Sequence, residues 1–432
     1  MRSLRKNYFP ALILVLLLCT VAYAQMQQPA ISPEDELYRP TVMPDRVVLT
    51  WAGDPATSQA VTWRTDTSVK SAVAQITDAD SGQKFEGRAQ TMPAVTSELV
   101  TNLWAENFHS VIFKDLRPET QYLYRVGDGK LWSEWYQFKT AIDNPAPFTF
   151  IYFGDVQTGI RPLWSRVLRE AYKTAPNAGF MAFAGDLVDT GSNDKKWGEF
   201  FSAGGWLYGM TNVLPTPGNH EKDQKDENGN LSLTRHWRAQ FTLPENGPKG
   251  LEEYAYYTDY QGVRFISIYS SEYISEQAEW LDKILADNPN RWTIFIMHHP
   301  VYPLSKGRND NVARRTALET LLNKYQVDLV LSGHDHTYAR SAMEKSTVYV
   351  SSVSGAKMYE IERKPWMKRT AEDTQLFQVI SIDGDKLTYE SRTATGSLYD
   401  AFEILKSGKE KKFVDKTPAN VPERARVKNE TQ

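Results

Sequence analysis

The chain has 432 residues, a formal charge of -3 and a single cysteine. Its length is too great for one ordinary hydrophobic core and allows about two or three domains, while the near-balanced charge singles out no class of partner. The lone Cys19 excludes a disulfide framework within the chain.

In chain order, Arg2, Arg5 and Lys6 precede an apolar run over 11–21, and Ala22, Tyr23 and Ala24 then give small residues two apart before Gln25. This is the pattern of a secretory signal peptide over 1–24, with an apolar core of about eleven residues that is too short to span a bilayer. Cys19 follows Leu18, where lipid attachment calls for a small residue, so it reads as signal core. Removing Arg2, Arg5 and Lys6 takes the formal charge from -3 to -6 and leaves no cysteine. A secreted or periplasmic protein is expected, in which any metal is held by nitrogen and oxygen.

Residues 25–40 are polar, punctuated by Pro29, Pro33 and Pro40, and read as a leader without its own core. Across 41–142 short alternating runs rich in β-branched and aromatic residues recur at 46–51, 59–64, 71–76, 108–113, 121–126 and 134–139. Turn signals such as Gly53-Asp54-Pro55 and Gly127-Asp128-Gly129 separate them. The spacing fits an all-β sandwich of immunoglobulin or fibronectin type that folds autonomously, with Trp63 in its core and the other aromatics used for packing.

After a stiff linker over 143–147 the period changes. Apolar strands at 148–153, 180–184, 213–217, 292–297 and 327–332 alternate with helical patterns at 162–172, 275–286 and 312–325. That alternation predicts an α/β domain over 146–405, whose site lies at the carboxyl ends of its strands. Later runs at 347–353, 376–382, 386–393 and 398–405, with a hairpin at Asp383-Gly384, read as antiparallel β. The charged tail, 406–432, is expected to be disordered or laid over the surface.

The strand ends present Asp155, Asp186, Asn219 with His220, His298 with His299, and His334 with His336. Each alone has a plain structural use as a turn or a hydrogen-bonding residue. Together they supply carboxylates, a carboxamide oxygen and imidazoles enough for two divalent metals about 3.5 to 4 Å apart, one carboxylate bridging.

The series Gly154-Asp155, Gly185-Asp186, Gly218-Asn219-His220-Glu221, Phe295-x-x-His298 and Gly333-His334-x-His336 resembles the calcineurin-like metallophosphoesterases. It is most similar to their purple acid phosphatase branch, which also carries a fibronectin-like domain before the catalytic one; the segment 245–253 resembles that branch too. The resemblance implies a sandwich of mixed sheets flanked by helices. It makes Asp155 and His336 ligands of a first metal, Asp186 the bridge, and Asn219, His298 and His334 ligands of a second, the ions being iron, zinc or manganese in divalent or mixed-valence form. His220 is then a residue that stabilises or protonates phosphoryl oxygens, or one whose hydrogen bond holds Asn219 or Asp186; His299 is a further catalytic candidate. Phosphomonoester hydrolysis by metal-bound hydroxide is implied, with a phosphodiesterase or nucleotide hydrolase as the alternative, and a surface-binding protein with a degenerate phosphatase domain as a third. The expected partner is a small phosphorylated molecule, not a nucleic-acid duplex, and no membrane span remains after signal removal.

Two positions depart from the family pattern. Asp189 stands where the purple enzymes have a tyrosine ligand, and Gln157 where the wider superfamily has a histidine. A phenolate-to-iron colour is therefore not expected. Asp189 either binds the first metal or hydrogen-bonds local backbone, and the Gln157 oxygen is the nearest candidate to complete that metal's shell. In the loop 302–311, Lys306 and Arg308 either grip a phosphate or lie in solvent.

Overall fold

The computed structural model describes residues 31–225 and 231–426. The expected signal peptide lies outside the described residues. Of the leader, residues up to Arg39 belong to a unit of their own. Its described part contains the helical turn Pro33–Glu36, started by a reciprocal pair: the Ser32 hydroxyl accepts from the Asp35 amide, and the Asp35 carboxylate accepts from the Ser32 amide.

Residues 45–139 form two antiparallel four-stranded sheets. One contains Asp45–Thr50, Gln59–Asp66, Ala105–Phe113 and Val95–Val100 in that order, and the other Gln90–Pro93, Val73–Asp78, Gln121–Gly127 and Tyr136–Lys139. Leu49, Val61, Trp63, Tyr124 and Phe138 meet between them, and Trp63 is fully buried. The two strands the sequence does not announce, Gln90–Pro93 and Val95–Val100, lie at sheet edges with mostly exposed side chains, so no apolar alternation marks them.

The first strand is buried on both faces. Val47 and Leu49 belong to the sandwich core and Val48 to the core of the next domain, as the two-residue period of a strand requires, and Trp51, just past the strand's end, joins Val48 in the second core. The Trp51 ring centre lies 5.3 Å from that of Phe180, edge to face, and 5.1 Å from that of Tyr260.

The next domain packs two mixed seven-stranded sheets face to face. In one, Asn212–Pro215, Phe180–Phe183 and Phe148–Phe153 run parallel, followed by antiparallel Leu376–Asp383, Lys386–Thr393, Leu398–Ser407 and Glu410–Asp415. In the other, Val263–Ile268, Trp292–Met297, Leu329–Ser332 and Thr347–Ser351 are parallel, with Tyr256–Tyr260, Tyr338–Glu344 and Met367–Ala371 antiparallel at the margins. Continuous apolar runs result because each parallel strand is covered twice. Ile294 and Ile296 point between the sheets, while Phe295 and Met297 pack with Leu281 and Leu318 of the outer helices Ile274–Ala286 and Val312–Lys324. On the first sheet the covering helices are Ser165–Thr174, entered through the wider turn Ile160–Trp164, and Asp194–Gly204.

The expectation of a disordered tail is corrected for the part described, up to 426. Glu410–Asp415 adds a strand to the sheet, and Lys406 and Lys411 bring their ammonium groups 2.8 and 2.6 Å from the buried Asp328 carboxylate. Arg424 then bridges to Ala371, and Arg426 pairs with Asp373 at 2.7 Å. Composition hid this because the anchoring is by charge on a sheet edge that needs little apolar surface. Residues 427–432 lie outside the described residues.

Candidate metal centre

Parallel strands deliver their following loops to one end of the sheets, and there the five motifs meet. Asp155, Asp186, His298 and His336 are buried at 0 to 1% exposure. Glycine precedes the donors because the loops touch: a Cβ at Gly333 would lie 2.0 Å from Asp155 Oδ1, and one at Gly218 2.2 Å from Asp186 Oδ1. Asp186, His334 and His336 have φ of 50°, 71° and 48°, a left-handed backbone that costs non-glycine residues about 1 to 3 kcal/mol each and that clusters at functional sites.

Two groups of donor atoms form, each within 4.8 Å: Asp155, Asp186 and His336, and Asp186, His298 and His334. Asp186 belongs to both. Asn219 joins the second, its Oδ1 lying 3.0 Å from His298 Nε2. The donor tautomers are set from outside. His298 Nδ1 donates to the Ala184 carbonyl at 2.9 Å and His336 Nδ1 to that of Lys357 at 3.0 Å, so each turns Nε2 inward. Asp155 Oδ2 is buried without a hydrogen-bond partner and lies 3.1 Å from His336 Nε2. Such an orphaned acceptor among nitrogen and oxygen donors fits a cation.

The electrostatics agree. Burial and the neighbouring Asp186 push Asp155 up to about 7 despite His298, while at Asp186 burial is outweighed by His298 and His220, which hold it at about 2. Burial opposes a charged His298, yet Asp186 and Asp155 raise it to about 9. Burial drives His334 and His336 downward, the latter to about 3, keeping both neutral as ligands must be. The positive charge the carboxylates demand is one this donor set would take from metal ions.

Glu221, absent from the residues singled out above as ligands or catalysts, ties the loops together. Its carboxylate accepts from the amides of Asp186 at 2.9 Å, Gly218 at 2.8 Å and Val188 at 3.2 Å. Burial, then Asp186, raises it to about 8. His220 gives its backbone amide to Asp186 Oδ1 at 2.9 Å, and its ring Nδ1 donates to the Asp189 carbonyl at 2.6 Å, leaving Nε2 3.9 Å from Asp186 Oδ2. His299 accepts or donates at Ser270 Oγ, 3.1 Å from Nδ1, and its ring centre is 4.1 Å from that of His334.

Three expectations need correction or refinement. Among the described residues the Asp189 carboxylate neither joins a donor group nor bonds local backbone; it pairs with Lys196 at 3.0 Å, because that lysine lies within reach on the helix Asp194–Gly204. Gln157 turns its amide nitrogen, not its oxygen, to the site, 2.7 Å from Asp186 Oδ2 and 3.1 Å from His336 Nε2, since two acceptors face it there. Lys306 is exposed and directed to Glu360 at 3.4 Å, so it does not face the site. Arg308 does: it reaches the His334 carbonyl at 3.2 Å and helps wall a cavity of about 700 Å³ with His299, His334, Asp335 and Arg314. Arg314, missed in the sequence, sits in the first turn of a helix whose apolar period gives no hint that this face opens on a site.

Residues 148–338 match the calcineurin-like phosphoesterase family and residues 44–140 the purple acid phosphatase N-terminal domain. Purple acid phosphatase 21 of Arabidopsis thaliana is 30% identical over 244 residues, 54% of this chain and 53% of that protein, so the chain spans about half the length of this relative. Probable purple acid phosphatase 20 of the same plant is 25% identical over 369 residues, 81% of this chain and 82% of that one. Among solved structures, a purple acid phosphatase from yellow lupin (Lupinus luteus) seeds superposes with a TM-score of 0.73 at 19% identity, covering 85% of this chain and 75% of its own. With its motif series, sheet pair and N-terminal sandwich, the chain carries a calcineurin-like phosphoesterase domain over 148–338, preceded by a purple acid phosphatase N-terminal domain over 44–140.

Proposed function

We propose that this protein is an exported dinuclear-metal phosphatase that hydrolyses phosphomonoesters. The observation that carries the proposal is Asp186, a buried carboxylate shared by two nitrogen-and-oxygen donor groups. Asp155, Asp186 and His336 would hold one ion, and Asp186, Asn219, His298 and His334 the other, with iron, zinc or manganese as the metals these donors suit. When bound, the pair supplies Lewis-acid activation of water and neutralises charge on the phosphoryl group.

The chain's own groups supply position and protons. Glu221 and the His220 amide fix the bridging carboxylate. His220, with Nδ1 committed to Asp189, presents Nε2 on the Asp186 side and in its protonated form donates to a phosphoryl or leaving-group oxygen. Arg308 and His299 line the cavity beside His334, where the substrate sits. Export rests on the signal pattern of 1–24.

The test is hydrolysis of phenyl phosphate and of a diphenyl phosphate reporter by purified protein, alongside elemental analysis. Faster monoester turnover with two metals per chain supports the proposal. A preference for the diester would move the protein to the phosphodiesterases, and turnover of neither would favour a degenerate binding protein.

A further inference from the structure

The cavity beside the second donor group has a chemistry that metal binding does not use. One end is formed by His334, a member of that group, and by His299 packed against it. The remaining wall carries two guanidinium groups, Arg308 and Arg314. The acidic residues of the same wall are largely spoken for. Asp310 pairs with Arg315 at 3.0 Å, outside the cavity wall, and Asp335 accepts from the amides of Leu304 and Ser305, with Arg308 Nε 3.5 Å away. Arg308 also donates to the His334 carbonyl at 3.2 Å and lies 5.2 Å from the Tyr359 ring centre, which fixes its plane. The Arg314 guanidinium makes one hydrogen bond, Nη1 to the Ser270 carbonyl at 3.3 Å, and no ion pair among the described residues. Its half-buried fork is held at one corner and open on the rest.

We infer that Arg314 and Arg308 form a subsite for a second anionic group on the substrate, a carboxylate or phosphate carried by the leaving group beyond the scissile phosphate. A planar guanidinium presents parallel N–H groups that match two oxygens of either anion, which a lysine at the same place would not. The cavity, about 700 Å³, holds a small organic monoester, so a phosphate seated at His334 places the rest of the molecule along the arginine wall. The inference rests on the phosphomonoesterase proposal for the orientation of the substrate, and it names the class: phosphomonoesters with an anionic leaving group.

Binding of two non-hydrolysable analogues differing by one carboxylate, benzylphosphonate and 4-carboxybenzylphosphonate, separates this inference from turnover. Calorimetric titration of the metal-loaded protein is expected to show the carboxylated ligand bound about five-fold tighter or more, a partly desolvated ion pair being worth about 1 kcal/mol. Arg314→Gln should bring the two ligands to near parity. Arg308→Gln should reduce the preference, and Arg314→Lys should restore only part of it, with unchanged thermal unfolding showing that each variant is folded. A wild-type protein without the preference, or a preference that survives both glutamine variants, overturns the subsite. Retained preference in a protein that hydrolyses no phosphate reporter would instead overturn the proposed activity and leave the subsite standing.

Discussion

Gln157 donates from its amide nitrogen to Oδ2 of Asp186 across 2.7 Å, and the same nitrogen lies 3.1 Å from His336 Nε2. The residue at this position thus touches the carboxylate common to both donor groups and a histidine of the first group at once. A hydrogen bond that orients a ligand is worth about ten- to a hundred-fold in metal affinity. Gln157→Ala is expected to weaken binding of the first metal by that order, read by titrating metal into apoprotein against a competing chelator. Unchanged affinity for both ions would show that Gln157 has no part in the centre.

Iron-loaded protein is expected to lack the strong visible band of a phenolate bound to ferric iron, since the tyrosine position is occupied by Asp189 and its carboxylate is drawn to Lys196 at 3.0 Å. Asp189→Ala should leave metal content unaltered and change stability by no more than about 1 kcal/mol, the pair being partly exposed. Loss of one metal with Asp189→Ala, found by elemental analysis, would return this carboxylate to the centre.

Much of the site was legible because strand ends announce themselves: an apolar run followed by glycine and a donor residue states both position and chemistry, as Phe153-Gly154-Asp155 does. What the sequence concealed depends on distance between segments. Asp189 and Lys196 are both polar surface types, and nothing local tells that they meet. Arg314 lies 16 positions beyond His298 on a helix, and only folding of the intervening loop turns it to the cavity. Val95–Val100 and Glu410–Asp415 escaped notice as strands because both are edge strands with little apolar alternation. The sandwich was plain from its alternating runs, but its fastening to the next domain was not, because Arg46, Arg64 and Asp194 carry no apolar signal.

That fastening has an energetic consequence. Arg46 binds Asp194 through both carboxylate oxygens at 2.6 and 2.8 Å, and Arg64 reaches Asp194 at 3.3 Å, Asp45 at 2.6 Å and Glu106 at 2.7 Å. Removing one member of a buried ion cluster strands the others, at about 3 to 5 kcal/mol. Asp194→Ala is expected to destabilise the protein by that amount in chemical denaturation. The isolated segment 41–142, expected from sequence to fold alone, should then unfold at lower denaturant than the sandwich of the intact chain. A difference below about 1 kcal/mol for Asp194→Ala would mean that the cluster contributes little to holding the domains together.

Acid stability has an identifiable component in the sandwich. His109 is fully buried between the Thr65 and Thr96 hydroxyls, at 2.8 and 2.9 Å, and burial pushes its pKa down to about 4 from an ordinary 6.5. The unfolded chain binds the proton more readily, so this contribution is complete above pH 6.5 and is lost as pH falls towards 4. Its size is on the order of 3 kcal/mol. Between those limits the difference in unfolding free energy between wild type and His109→Gln should shrink with falling pH. A difference independent of pH would show that His109 is not neutral in the folded protein.

Metal content of single variants tests the shared carboxylate most directly. Elemental analysis of the purified protein is expected to give two metal ions per chain, falling to one for His298→Ala and remaining at two for His299→Ala. Asp186→Ala is expected to bind neither ion at equimolar metal, because Asp186 is, among the described residues, the only carboxylate common to both donor groups. An Asp186→Ala protein that keeps two ions, or loses one alone, would contradict a centre built around this residue.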